Sequence, residues 1–81
     1  MNTESVAPTN VLEGNEEFVA FLHEHARKEK VPETCDKSWL ANAWLKNRGV
    51  FANLFVTSTG KDFYVSDVNE FFKQAAESYK G

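Results

Sequence analysis

Apolar positions along this chain change spacing twice, and each spacing predicts a different element. Phe18, Phe21, Leu22 and His25 fall at i, i+3, i+4 and i+7, the signature of one helix face. Asn15 stands where an N-cap belongs, and Glu16 and Glu17 suit the positive end of a helix dipole. Arg27, Lys28 and Lys30 crowd the other end before Pro32. The pattern predicts a first helix over 16–30. A second helix, over 36–48, is capped by Asp36 or Ser38 and closes at Gly49 in the left-handed conformation. Trp39, Leu40, Ala41, Ala43, Trp44 and Leu45 cover most of its circumference. Only Ser38, Asn42 and Lys46 form a clean polar strip, which predicts a central helix gripped on two sides.

The spacing then changes. Residues 50–57 (VFANLFVT) are rich in β-formers, and Phe63-Tyr64-Val65 reads as a second short strand. Between them Ser58-Thr59-Gly60-Lys61 supplies a turn, with one glycine for positive φ. Val50, Ala52, Leu54 and Val56 form the apolar register expected to face the core. Phe51, Phe55 and Tyr64 are left for the outer side. Ser66 then caps a third helix, with Asp67 in its first turn and a buried stripe of Val68, Phe71, Phe72, Ala75 and Tyr79. The predicted fold is α+β, three helices and one antiparallel β-hairpin in the order α-α-β-β-α. Its predicted core is Phe18, Phe21, Leu22, Trp39, Leu40, Trp44, Leu54, Val56, Phe71 and Phe72. Residues 1–14 lack periodicity and read as a flexible tail before a single domain over 15–81.

Composition adds limits. The chain has 81 residues, enough for one core, and 14% of them are aromatic, which supplies that core despite few aliphatics. The single cysteine, Cys35, cannot form an intrachain disulfide, which favours a reducing compartment. With no base before Arg27 and no long apolar run, no signal peptide or membrane span is expected, and the expected location is cytoplasmic. Net charge is −3, spread as −5 over 1–26, +4 over 27–61 and −2 over 62–81. The middle of the chain is basic inside an acidic protein.

Catalytic patterns fail on spacing. His23 and His25 are two apart and point to nearly opposite sides of a helix; a metal pair wants i, i+4, and position 27 is Arg. His25, on the apolar stripe, reads as a core-edge histidine. Thr57-Ser58-Thr59-Gly60-Lys61 lacks the first glycine and the following Ser/Thr of a phosphate-binding loop: those positions are Phe55 and Asp62. Cys35 has no histidine placed in sequence to serve as its base. The sequence predicts a protein that is not an enzyme and needs no cofactor.

Three stretches carry a resemblance. They are Trp44-Leu45-Lys46-Asn47-Arg48-Gly49-Val50-Phe51, then Thr59-Gly60-Lys61-Asp62-Phe63-Tyr64-Val65, then Ser66-Asp67-Val68-Asn69-Glu70-Phe71-Phe72. Over 37–75 the chain resembles small winged helix-turn-helix domains of the excisionase, MerR and small-terminase-subunit type. The resemblance implies a DNA-binding or regulatory protein, with helix 36–48 reading double-stranded DNA and the 50–65 hairpin as its wing. Asn42 would then pair with adenine and Lys46 reach guanine or phosphate. Arg48 and Lys61 would hold backbone phosphates, with Lys37, Arg27 and Lys28 assisting. The same strip of Ser38, Asn42 and Lys46 equally reads as the solvated side of a central helix. The competing expectation is an acidic protein-interaction module, such as a phage- or plasmid-type inhibitor or adaptor, docking on a larger host protein. Exposed hairpin aromatics (Phe51, Phe55, Tyr64) would anchor it, and a homodimer is also open.

Overall fold

A computed structural model describes residues 11–81. It is all-helical: α1 (Glu16–Lys28), α2 (Lys37–Lys46), α3 (Arg48–Thr59) and α4 (Val68–Glu77), with no strand among the described residues. The expected α+β order with a β-hairpin is therefore corrected to four helices.

The correction lies in residues 48–59, and the reason is a matter of period. Phe51 and Phe55 are both buried while Asn53 and Thr57 are exposed. A strand would put all four on one face, whereas a helix separates them. Phe55 packs against Phe18, with ring centroids 5.1 Å apart, and edge-on to Phe21 and Phe63. Phe51 meets His25 edge-to-face at 4.9 Å. The hairpin register thus reverses: Leu54 and Val56, expected inside, are exposed, and so are Val50 and Trp39.

Helix ends explain the remaining shifts. Gly49 is the second residue of α3 and does not close α2. Asn47 does that work: its backbone N–H bonds back to Trp44 while its carbonyl accepts from Phe51, so one residue ends α2 and starts α3. Gly60, expected in a hairpin turn, is the left-handed C-cap of α3 at φ 71°. Thr59 Oγ1 donates to the Phe55 carbonyl at 2.8 Å, which also favours termination there. Phe63 and Val65 are half-buried and Tyr64 is exposed, so an alternation remains, but no partner strand accompanies it. Asp36 caps α2 through Ser38 N–H, and Asp67, next to the expected Ser66, caps α4 through Glu70 N–H.

The core gathers around Phe18, whose ring lies 4.3 Å from Phe63 and 5.5 Å from Phe71 by centroid. Leu22, Leu40, Trp44, Phe71 and Phe72 join it as expected, and Phe21 packs at its edge. The chain enters this core earlier than its periodicity suggests. Val11, placed in the tail by sequence, is 4% exposed, whereas residues 1–10 of that expected tail lie outside the described residues. Asn15 precedes α1 as expected, yet its side chain does not cap the helix. Its amide instead donates to the carbonyls of Val11 and Tyr64, joining the entering chain to the α3–α4 connection.

The most extensive helix pair is α2 with α4. The chain after α4 returns to the loop that precedes α2. Tyr79 Oη donates to the Val31 carbonyl at 2.5 Å, and Arg27 Nε donates to that of Lys80 at 3.0 Å. The two helices therefore run antiparallel. No helix of the described residues is long and apolar enough to cross a membrane.

Candidate functional site: a groove between α2 and α4

The antiparallel pair leaves a groove of about 310 Å³ along its outer side. From α2 come Lys37, Ser38, Asn42 and the floor residues Ala41 and Leu45; from α4 come Asn69, Lys73, Glu77 and the floor residue Phe72. Helical spacing accounts for this on both sides. Ser38 and Asn42 are four apart, as are Asn69, Lys73 and Glu77, so each set lines one edge of its helix. Leu40 and Trp44 on one helix, and Phe71, Ala75 and Ala76 on the other, point into the core and hold those edges in place.

The polar groups of the groove divide by how far their hydrogen bonds are already committed. Lys37 Nζ donates to the carbonyls of Glu33 and Cys35, which fixes its ammonium at the groove's end with one donor left over. The side chains of Asn42, Asn69, Lys73 and Glu77 make no hydrogen bond or ion pair with other described residues. Lys37, Lys73 and Glu77 leave the groove at +1 in a chain of −3. Two carboxamides and two ammonium groups thus line a partly apolar recess.

Of the residues expected to contact DNA, only Lys37 and Asn42 line this groove. Lys46 ends α2 on the exposed surface, outside the groove lining. Arg48 Nη1 donates to the Leu45 carbonyl at 3.0 Å, across the α2–α3 junction. Lys61 sits after α3 and pairs with Glu17, its Nζ 2.8 Å from the carboxylate. Arg27 binds the Lys80 carbonyl and stands 3.5 Å from Glu24. Lys28 is exposed at the end of α1. The stretch expected to be the wing that carries Lys61 is helix followed by chain without regular structure.

The apolar periodicity of α4 marks its buried stripe and leaves Asn69, Lys73 and Glu77 unmarked. Their four-residue spacing was the available signal. His23, excluded as a metal ligand by its spacing from His25, has its Nε2 2.9 Å from the Ala75 carbonyl; that acceptor makes Nε2 the protonated nitrogen. His23 is a structural tie between α1 and α4, set between Trp44 and Tyr79. His25 sits at the core edge against Phe51. Among the described residues no group of three or more His, Cys, Asp or Glu side chains is placed to hold a metal ion.

A second, apolar depression of about 180 Å³ lies between the start of α3 and the 63–68 segment, lined by Gly49, Ala52, Phe63, Val65 and Val68 among others. Its lining is apolar apart from Arg48, one of whose guanidinium donors is held by the Leu45 carbonyl. Searches against protein-family models, curated proteins and solved structures found no match to this chain.

Proposed function

We propose that this chain is a small protein-interaction module that receives a segment of a larger protein in the α2–α4 groove. The observation that carries the reading is the state of the groove's polar groups. Asn42, Asn69 and Lys73 line the edges of an apolar floor, their side chains exposed and making no hydrogen bond to other described residues. Binding sites combine an apolar surface with a few convergent polar groups in this way. The volume falls at the lower end of the range of about 300–1,000 Å³ for ligand clefts.

The placement of the basic residues supports this reading over DNA. A helix that reads bases must project its polar strip into a groove about 12 Å wide. Here Ser38 and Asn42 are exposed on the edge of α2 beside α4, with the carboxylate of Glu77 on the same groove. Lys61, Arg48 and Arg27 are engaged by the protein's own carboxylates and carbonyls.

The test is site-specific photocrosslinking in the cell that makes the protein, with a photoreactive residue at Asn42 or Asn69 and a control at Asn53 on α3. The expected result is one discrete crosslinked protein from the two groove positions and none from the control. Steeply salt-dependent binding to random duplex DNA, with no groove crosslink, would return the DNA reading in its place.

A further inference from the structure

We infer that the segment received by the groove is an extended peptide bearing Asp or Glu side chains. The inference rests on the docking reading above and assigns its partner class. Three features of the groove select that class, each through a different part of the ligand.

The first is charge. Lys37 and Lys73 are the only cations of the lining, and they stand on opposite helices. Lys37 is already positioned by two carbonyls, so little side-chain freedom remains to be lost when a carboxylate arrives at its remaining donor. Lys73 is exposed and uncommitted. An acidic segment meets net positive charge here even though the chain as a whole is acidic.

The second is the pair of carboxamides. Asn42 and Asn69 each offer donors and an acceptor. A helical ligand has its backbone groups satisfied internally and gives these amides nothing to bind except at its ends. An extended chain presents free N–H and C=O groups along its length. The geometry therefore favours extended backbone, the same mode by which other grooves take peptides through main-chain hydrogen bonds.

The third is the floor. Ala41, Leu45 and Phe72 form an apolar strip between the two polar edges. In an extended peptide alternate side chains face opposite ways, so an apolar residue can rest on this floor while its acidic neighbours turn to the rim. Glu77 limits the acidic positions: it stands at the end of α4, on the side of the groove where α2 begins with Lys37, so the Lys73 end is the more favourable place for a carboxylate.

The experiment uses the full chain and three dye-labelled heptapeptides, acetylated and amidated so that only side-chain charge is read. These are Ser-Glu-Leu-Glu-Leu-Glu-Ser and its counterparts with every Glu replaced by Gln or by Lys. Binding is followed by fluorescence anisotropy, and the site is mapped by backbone amide NMR shifts. The acidic peptide is expected to bind tightest and to move the amides of Ala41, Asn42, Asn69 and Lys73. Lys73→Glu should weaken it roughly five- to tenfold, and Glu77→Gln should tighten it about twofold, as expected of rim charges. Both positions are exposed, and an unchanged far-UV circular dichroism spectrum and melting curve confirm that each variant folds. Equal binding of the lysine peptide, or a charge series that leaves affinity unchanged, overturns the inference. If the crosslinks from Asn42 and Asn69 persist in that case, docking at the groove stands and only the acidic partner falls. If the crosslinks are absent as well, both fall together.

Discussion

Asn15 shows how far one side chain can depart from what its sequence position suggests. An asparagine before two glutamates and an apolar stripe is a helix-capping signal, and α1 does begin at the next residue. The side chain, however, is 6% exposed and gives its amide hydrogens to the carbonyls of Val11 and Tyr64. Both acceptors belong to segments without regular structure, so no helix or sheet ladder would replace the lost donors. Asn15→Ala should cost about 1–3 kcal/mol, the penalty for leaving buried acceptors unpaired. Asn15→Asp, nearly identical in shape, should cost more at neutral pH, because a carboxylate cannot donate and would face two carbonyl oxygens. Urea denaturation of the three proteins checks the ranking; an aspartate variant as stable as wild type would show that the amide donors contribute nothing. Position was legible here, and partners were not, since Tyr64 lies 49 residues away.

At the scale of elements, α1, α2 and α4 were legible because their buried positions recur at helical spacing and acidic or amide residues mark their starts. The third helix was not. Its sequence, RGVFANLFVTST, is crowded with β-branched and aromatic residues, and a short apolar run of this kind fits strand and helix alike. What decides between them is the surface each face must meet. Phe18, Phe21 and Phe63 offer a site for Phe55 and His25 one for Phe51, and only the helical period fills both without burying Asn53. Tertiary contacts override a modest local preference in such cases. Two substitutions at Asn53 test the element itself, because the residue is exposed and contributes no packing. Asn53→Ala should stabilise by a few tenths of a kcal/mol, as expected for the best helix former at a helix interior. Asn53→Pro should cost about 3 kcal/mol or more by removing a backbone donor and clashing with the preceding turn. Thermal melts followed by far-UV circular dichroism measure both. A destabilising alanine with a tolerated proline would return this stretch to an edge strand.

At the scale of the molecule, the groove depends on a closure that periodicity along the chain does not display. Each lining residue can be found on a predicted helix face, but that the Ser38–Asn42 edge of α2 meets the Asn69–Lys73 edge of α4 depends on how the antiparallel pair is held. The last residues do this. Tyr79, 2% exposed, lies beyond the end of α4, where its ring packs edge-on to His23 and its hydroxyl reaches Val31. Ser78 Oγ donates to Ala75 and Arg27 binds Lys80, so the segment closes the loop between α1 and α2 against the end of α4. Tyr79→Phe should cost about 1 kcal/mol, the net worth of one hydrogen bond, with the ring still buried. Deleting residues 78–81 removes the ring as well and should cost about 3–5 kcal/mol, as for truncation of a buried aromatic. That is a large share of the total of about 5–15 kcal/mol that holds a small domain together. The deletion should therefore lower the urea midpoint far more than Tyr79→Phe does, and it should raise amide exchange across Val31–Asp36 and along both edges of the groove. Faster exchange confined to the last residues themselves, with an unchanged midpoint, would mean that the α2–α4 pair holds its spacing without the closure.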